Sequence, residues 1–182
     1  MIIGLTGTKA SGKSYIAKYL VKKGFSYISL SDVVREKARE KYPAPTAQQL
    51  IETGNELRRK FGPPILAKIV VKRMKKGDYV IDGIRNPAEA EYLRKNLKGF
   101  KLIAVDADQK IRYKRIISRG REDSPKTFED FLKIDERDQG KNEPKTGQRV
   151  CDTMEMADIK MINNGTLEEM HKHVDKILSE IR

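Results

Sequence analysis

The sequence predicts an α/β fold, a three-layer sandwich with a five-stranded parallel sheet between flanking helices, and three observations carry that expectation. Short apolar runs bounded by Gly, Asp or Asn recur at Ile2–Thr6, Tyr27–Leu30, Tyr79–Ile81, Lys101–Val105 and Lys160–Ile162. Longer amphipathic stretches separate them, which is how βα units around a buried parallel sheet read. All seven prolines (Pro43, Pro45, Pro63, Pro64, Pro87, Pro125 and Pro144) fall at segment edges, where a fixed φ and a missing N–H are tolerated. The length, 182 residues, suits one domain with a core large enough to need no staples.

The first helix is expected over Lys13–Lys23, where Ile16, Ala17, Leu20 and Val21 form one stripe and Gly24 ends it. Further helices are expected near 32–41, 46–60, 63–75, 87–97, 109–119, 127–138 and 166–181. The stretch Glu122–Gln148 breaks the rhythm: it is almost all charged or polar, keeps only Phe128, Phe131, Leu132 and Ile134 for one short helix to dock, and carries no strand-like run. It reads as an insert, either a solvated helix and loop or a cover over a site.

Composition removes several classes of protein. With 38% hydrophobic and 35% charged residues, the chain is neither collagen-like nor mostly disordered. Its one cysteine, Cys151, cannot close an internal disulfide, and His171 and His173 are two apart, on different sides of a helix. A metal site built on His and Cys is therefore not expected, and a reducing compartment is. No apolar run reaches the roughly 18–20 residues of a membrane span, and Met1-Ile2-Ile3-Gly4 carries no basic leader, so a cytoplasmic location is expected. The net charge of +12 suits anionic partners, either nucleic acid or phosphorylated small molecules.

The chemistry is concentrated in Gly7-Thr8-Lys9-Ala10-Ser11-Gly12-Lys13-Ser14, which fits GxxxxGK[ST] with a strand before it and a helix after it, the signature of a P-loop NTPase. Glycines let the backbone N–H groups face phosphate oxygens at a helix N-terminus. Lys13 is expected at the β- and γ-phosphates and Ser14 Oγ on Mg²⁺, so ATP and Mg²⁺ are the expected cofactors. At the end of the second strand, Ser31 and Asp32 read as a helix cap, with Asp32 and Arg35 one turn apart on one face. The third strand delivers Asp82 to the carboxyl edge of the sheet, where ligands of open α/β sheets bind. Asp82 is placed to hold the cation's hydration shell, and Gly83 frees the backbone so that Arg85 can grip a phosphate.

The P-loop, Asp32-Val33-Val34-Arg35, Asp82-Gly83-Ile84-Arg85 and the segment Ala157–Glu168 together resemble the nucleoside monophosphate kinase superfamily over nearly the whole chain. The first three motifs are similar to those of adenylate kinases, whose D-x-x-R and D-G-x-P-R arginines hold the acceptor phosphate. The last is closer to dephospho-coenzyme A kinases and deoxynucleotide kinases. The nearest likeness is to a family of small archaeal P-loop proteins described as kinase-like. The resemblance implies an acceptor-binding helical region at about 32–75 and a lid at about 120–148. It places Asp32, Arg35 and Arg85 on the acceptor, and it places Asn163, Asn164 and Gly165 in the loop where the adenine rests.

For the lid, the resemblance implies arginines brought onto the transferring phosphoryl group. Arg112, Arg115 and Arg119 share one helix face leading into the insert, with Arg121 just beyond. Residues 109–121 contain no carboxylate, so these guanidinium groups are expected to meet an anion; Arg115, Arg119 and Arg121, with Lys13, are the expected catalytic cations. Gly140, Pro144 and Gly147 bracket a loop that little is expected to hold.

Two departures leave the acceptor open: the Asp82 motif lacks the proline before its arginine, and no aromatic Walker B pair is present. Arg58 and Arg59 lie where acceptor-binding helices belong and could touch a phosphate or nothing. The expected function is Mg²⁺-ATP-dependent phosphoryl transfer to a small phosphorylated acceptor, a nucleoside or deoxynucleoside monophosphate. The alternatives are dephospho-coenzyme A, with Asp32 as general base to a hydroxyl, and a nucleotide-switched ATPase or RNA-associated module. Against the last, basic residues alternate with acidic ones and no basic patch with interleaved aromatics is seen.

Overall fold

The computed structural model describes residues 1–120, 125–140 and 143–181. The chain runs β1 (Ile2–Gly7), α1 (Lys13–Lys22), β2 (Ser26–Ser29), α2 (Leu30–Arg39), α3 (Ala47–Phe61), α4 (Ile65–Arg73) and β3 (Tyr79–Asp82). It continues through α5 (Pro87–Asn96), β4 (Phe100–Asp106), α6 (Gln109–Ile117), α7 (Phe128–Gln139), α8 (Val150–Glu155), β5 (Ile159–Ile162) and α9 (Leu167–Ile181). The five strands form one parallel sheet in the order β2-β3-β1-β4-β5. The order reverses beside β1, so the loop after β1 opens at the switch point where such sheets bind ligands.

Side chains alternate along each strand and feed two cores. Ile3, Leu5, Val80, Ile103 and Val105 pack on α1 and α9 through Ile16, Leu20, Met170 and Val174. Ile81 and Leu102 turn to the other face, under α2, α4 and α5, with Val33, Leu66, Val70 and Leu93. Gly4 lies between Ile3 and Leu5 on that second face, where a Cβ would come within 2.6 Å of the Phe100 ring and 2.7 Å of Ile84 Cδ1. Among the described residues no helix is long and apolar enough to cross a membrane.

The structure corrects three local expectations. The cap of α2 is Ser29, whose Oγ accepts the Ser31 N–H at 3.1 Å; Ser31 is inside the helix, and Leu30 belongs to α2 instead of β2. A short helix, α8, follows the polar insert where no element was expected. The loop within the insert is also held: Asn86 Nδ2 donates to the carbonyls of Lys145 and Gly147, both at 2.8 Å, and the Arg149 N–H donates to Arg85 O at 2.8 Å. Backbone carbonyls of an otherwise polar loop thus find a buried amide on another element, a pairing the insert's own residues do not announce.

Glu89 ties the second core together. It is fully buried, and its Oε2 accepts the N–H groups of Arg85 and Asn86 at 3.0 and 3.1 Å, closing the capping box of α5. Its Oε1 takes Arg58 Nε and Nη2, each at 2.9 Å, and Arg58 is itself 2% exposed. Removing one member of such a pair leaves a buried charge without compensation. Glu89→Ala is expected to lower stability by about 3–5 kcal/mol, read as a fall in the urea midpoint at unchanged m; a wild-type midpoint contradicts this role.

Candidate active site

The loop between β1 and α1 wraps tightly because glycine stands where nothing else fits. Gly7 has φ +137°, and a Cβ there would lie 1.9 Å from Val105 O; Gly12 has φ +107°, and its Cβ would lie 2.2 Å from Asn163 Nδ2. Lys13 Nζ reaches back across the loop and donates to Gly7 O at 2.8 Å and Thr8 O at 2.6 Å. Burial takes this ammonium away from water and lowers its pKa to about 8, with Asp82 and Asp106 pulling the other way and Arg85 and Arg112 adding to the fall. Thr8 Oγ1 donates to Asp106 Oδ1 at 2.6 Å, tying the loop to the end of β4.

Two clefts open from this loop. The first, of about 320 Å³, lies against α2, α3, α4 and α7 and is lined at its loop end by Gly7, Thr8, Lys9 and Lys13. Arg35, Arg58, Arg85 and Arg119 also line it. The second, of about 360 Å³, is lined by Gly12, Tyr15, Arg115, Asn163 and Gly165, and Arg119 lines it as well. Arg119, just beyond α6, therefore borders both spaces.

The expected site residues separate into groups. Arg85 opens to the first cleft, yet protein packs around its guanidinium; the resulting desolvation lowers its pKa, while Asp138 and Asp82 oppose the fall. Its Nη1 donates to Gln148 Oε1 at 3.3 Å. Arg35 lines the cleft on an exposed ion pair with Asp32, but Asp32 is not among the lining residues. Arg115 turns to the back of the loop: Nη2 donates to Asn163 O at 2.9 Å, and Nη1 to Ser11 O and Ala10 O at 3.3 and 3.4 Å. Desolvation lowers its pKa, and Arg119 adds to that. Asn163 is buried, its Nδ2 on Ser11 O at 2.7 Å, whereas Asn164 is exposed and accepts the Asp108 N–H at 2.8 Å. Arg121 lies outside the described residues.

Arg112 corrects the expectation of three free arginines on one face. It is 2% exposed and forms a bidentate pair with the equally buried Asp135, its Nη2 on Oδ2 at 2.7 Å and its Nη1 on Oδ1, and its Nε donates to Ala107 O at 2.8 Å. The carboxylate comes from α7 and not from the arginine's own helix. Arg58 is likewise held by Glu89, and Arg59 is exposed. Sequence reasoning missed Glu89, Asp106, Asp135 and Asp138; the Asn86–Glu89 capping pattern and an Asp at the end of β4 were the available signals.

The donors near Lys13 suit a hard cation. Ser14 Oγ is exposed in the first turn of α1; Asp82 Oδ1 accepts the Gly83 N–H at 2.7 Å, and Oδ2 accepts a long 3.5 Å bond from Tyr27 Oη. Oxygen donors of this kind fit Mg²⁺, which keeps most of its water. Among the described residues no three His, Cys, Asp or Glu side chains gather to hold a metal alone, so phosphates and water would complete its shell.

A glycine-wrapped loop on a 2-3-1-4-5 parallel sheet, with its lysine lining the first cleft and Gly12 lining the second, defines a P-loop domain of the kinase-like fold. The AAA_18 profile, an AAA domain, matches residues 3–142. A UPF0200 protein of Pyrococcus horikoshii is 32% identical over all of this chain and 97% of its own, and one of Thermococcus kodakarensis is 35% identical over 100% and 98%. The chain belongs to the UPF0200 family and carries an AAA_18 domain. Among solved structures, a shikimate kinase from Bacteroides thetaiotaomicron shares the fold with a TM-score of 0.61 at 12% identity, covering 98% of each chain.

The lowered pKa of Lys13 gives a pH test. An anion prefers the ammonium, so its binding is strongest below the free pKa and weakens as pH rises through about 8. ATP affinity is expected to fall over that range with proton uptake on binding, seen by calorimetry in buffers of different ionisation enthalpy, while Lys13→Arg stays flat. A pH-independent wild type contradicts the placement of Lys13 at the phosphates.

Proposed function

We propose that the protein transfers the γ-phosphoryl group of Mg²⁺-ATP to a small phosphorylated acceptor in the first cleft, with the nucleotide's base in the second. The observation that carries this reading is the position of Lys13 and Arg119: Lys13 stands at the neck of the first cleft, and Arg119 borders both. A group handed from one cleft to the other passes between these cations. Transfer of this kind asks for positioning and charge stabilisation more than for covalent help.

In the proposed step an oxygen of the acceptor's phosphate bonds to the γ-phosphorus as the bond from that phosphorus to the β–γ bridging oxygen breaks. ADP leaves with the electron pair, and the acceptor leaves as a diphosphate. Arg85 and Arg35 hold the acceptor's phosphate, Lys13 holds the donor's, and Arg119 meets the group in flight. Ser14 and Asp82 would hold Mg²⁺, which screens phosphate charge when bound. The resemblance makes nucleoside monophosphates the reference acceptors. Asp32, paired with Arg35 and absent from the cleft lining, gives no support to a general base acting on a hydroxyl.

A coupled ADP-release assay across phosphorylated acceptors tests the reading: release is expected to depend on the acceptor and to vanish in Lys13→Ala. Arg85→Ala removes one charge-assisted contact, worth about 1.5–3 kcal/mol, so acceptor kcat/KM is expected to fall about 10- to 150-fold with ATP affinity kept. Equal loss of ATP binding would put Arg85 on the donor side.

A further inference from the structure

The first cleft joins a cationic end to walls of another character. Where α3 and α7 face each other, bridged by Arg137 Nη2 on Gln48 Oε1 at 2.7 Å, the lining is Leu50 and Ile51 of α3, Phe131 and Ile134 of α7, and Val34 of α2. Ile134 is 37% exposed, an apolar side chain left open at this position.

The polar side chains that border these apolar positions are largely engaged within the protein, and Ser31, which also lines the cleft, lies beside Gly83 at its cationic end. Arg58 is shared between Glu89 and Asn55, the latter at 3.2 Å; Asp135 is held by Arg112; Asp138 lies 3.4 Å from Lys9 Nζ. Gln139 is engaged at both ends of its amide, by Asp135 at 3.0 Å and Cys151 at 3.3 Å, and Gln148 turns its oxygen to Arg85. The backbone is closed as well. Val34, Leu50, Ile51, Phe131 and Ile134 lie inside helices, whose N–H and C=O groups are consumed within the helix. A nucleobase edge placed here would exchange its bonds to water for apolar contact, which is unfavourable for polar groups and favourable for methylenes.

We propose that the acceptor is a phosphate monoester of a compact apolar alcohol, its phosphate on Arg85 and its body between α3 and α7. The proposal rests on the phosphoryl-transfer reading for the phosphate and departs from nucleotides for the body; the product is the matching organic diphosphate.

The test titrates the full chain, loaded with Mg²⁺ and a non-hydrolysable ATP analogue, with inorganic phosphate, a series of ethyl, butyl and hexyl monophosphates, and AMP, CMP and dTMP. Affinity is expected to rise about 4-fold per methylene, and the nucleotides are expected to bind no more tightly than ethyl phosphate. Ile51→Asn and Ile134→Asn are each expected to flatten the series, with analogue binding as the check that the variant is folded. A flat wild-type series, or a nucleoside monophosphate that binds more tightly than hexyl phosphate, overturns the proposal. ADP release is scored separately: an ester that binds with the full slope and yields no ADP defeats the transfer reading and upholds the chemistry of the cleft.

Discussion

The ammonium of Lys13 closes the loop that surrounds it, and the rest of the site is arranged around that contact. Its bonds to Gly7 O and Thr8 O hold the loop in a curve that only glycine at residues 7 and 12 permits. The same curve brings Ser11 O under Asn163 and Arg115, so β5, α6 and the loop share one brace. Taking the ammonium from water is unfavourable, and the lowered pKa records it; bound phosphate is the natural compensation. A structural lysine on the surface would show neither the burial nor this convergence.

Two arginines are met by buried carboxylates, and two others line the first cleft without one among the described residues. Arg112 and Arg58 are buried with Asp135 and Glu89, and they fasten α7 to α6 and α3 to α5. Bidentate geometry and extra hydrogen bonds to backbone and amide oxygens satisfy these guanidinium groups, which is what makes a buried pair tolerable. Arg85 and Arg119 keep open faces toward the first cleft. Paired cations thus make a fixed frame, and open ones are left for an anion.

Much of this was legible in the sequence, for reasons that are local. The strand, the glycines and Lys13-Ser14 lie within fourteen residues, so spacing alone specifies the loop, and Asp82 follows directly from an apolar run. Contacts between distant elements were not legible. Arg112 meets Asp135 from 23 residues away and Arg58 meets Glu89 from 31, whereas helix-face reasoning compares only residues three or four apart. Helix α8 was missed because six residues without a capping side chain give too little period to read. Leu30 reads as strand in the sequence because apolar character does not distinguish the last strand residue from the first residue of a helix.

In the proposed transfer, donor and acceptor phosphates meet where Lys13 lines the first cleft and Arg119 borders both. Equilibrium binding of a bisubstrate compound, ATP joined through its terminal phosphate to the phosphate of an accepted substrate, tests it most directly. The compound gathers both sets of contacts in one molecule, so it should bind at least about 10²-fold more tightly than ATP alone, and Arg119→Ala should remove part of that gain. Affinity equal to that of ATP, with ATP binding itself intact, would contradict the claim.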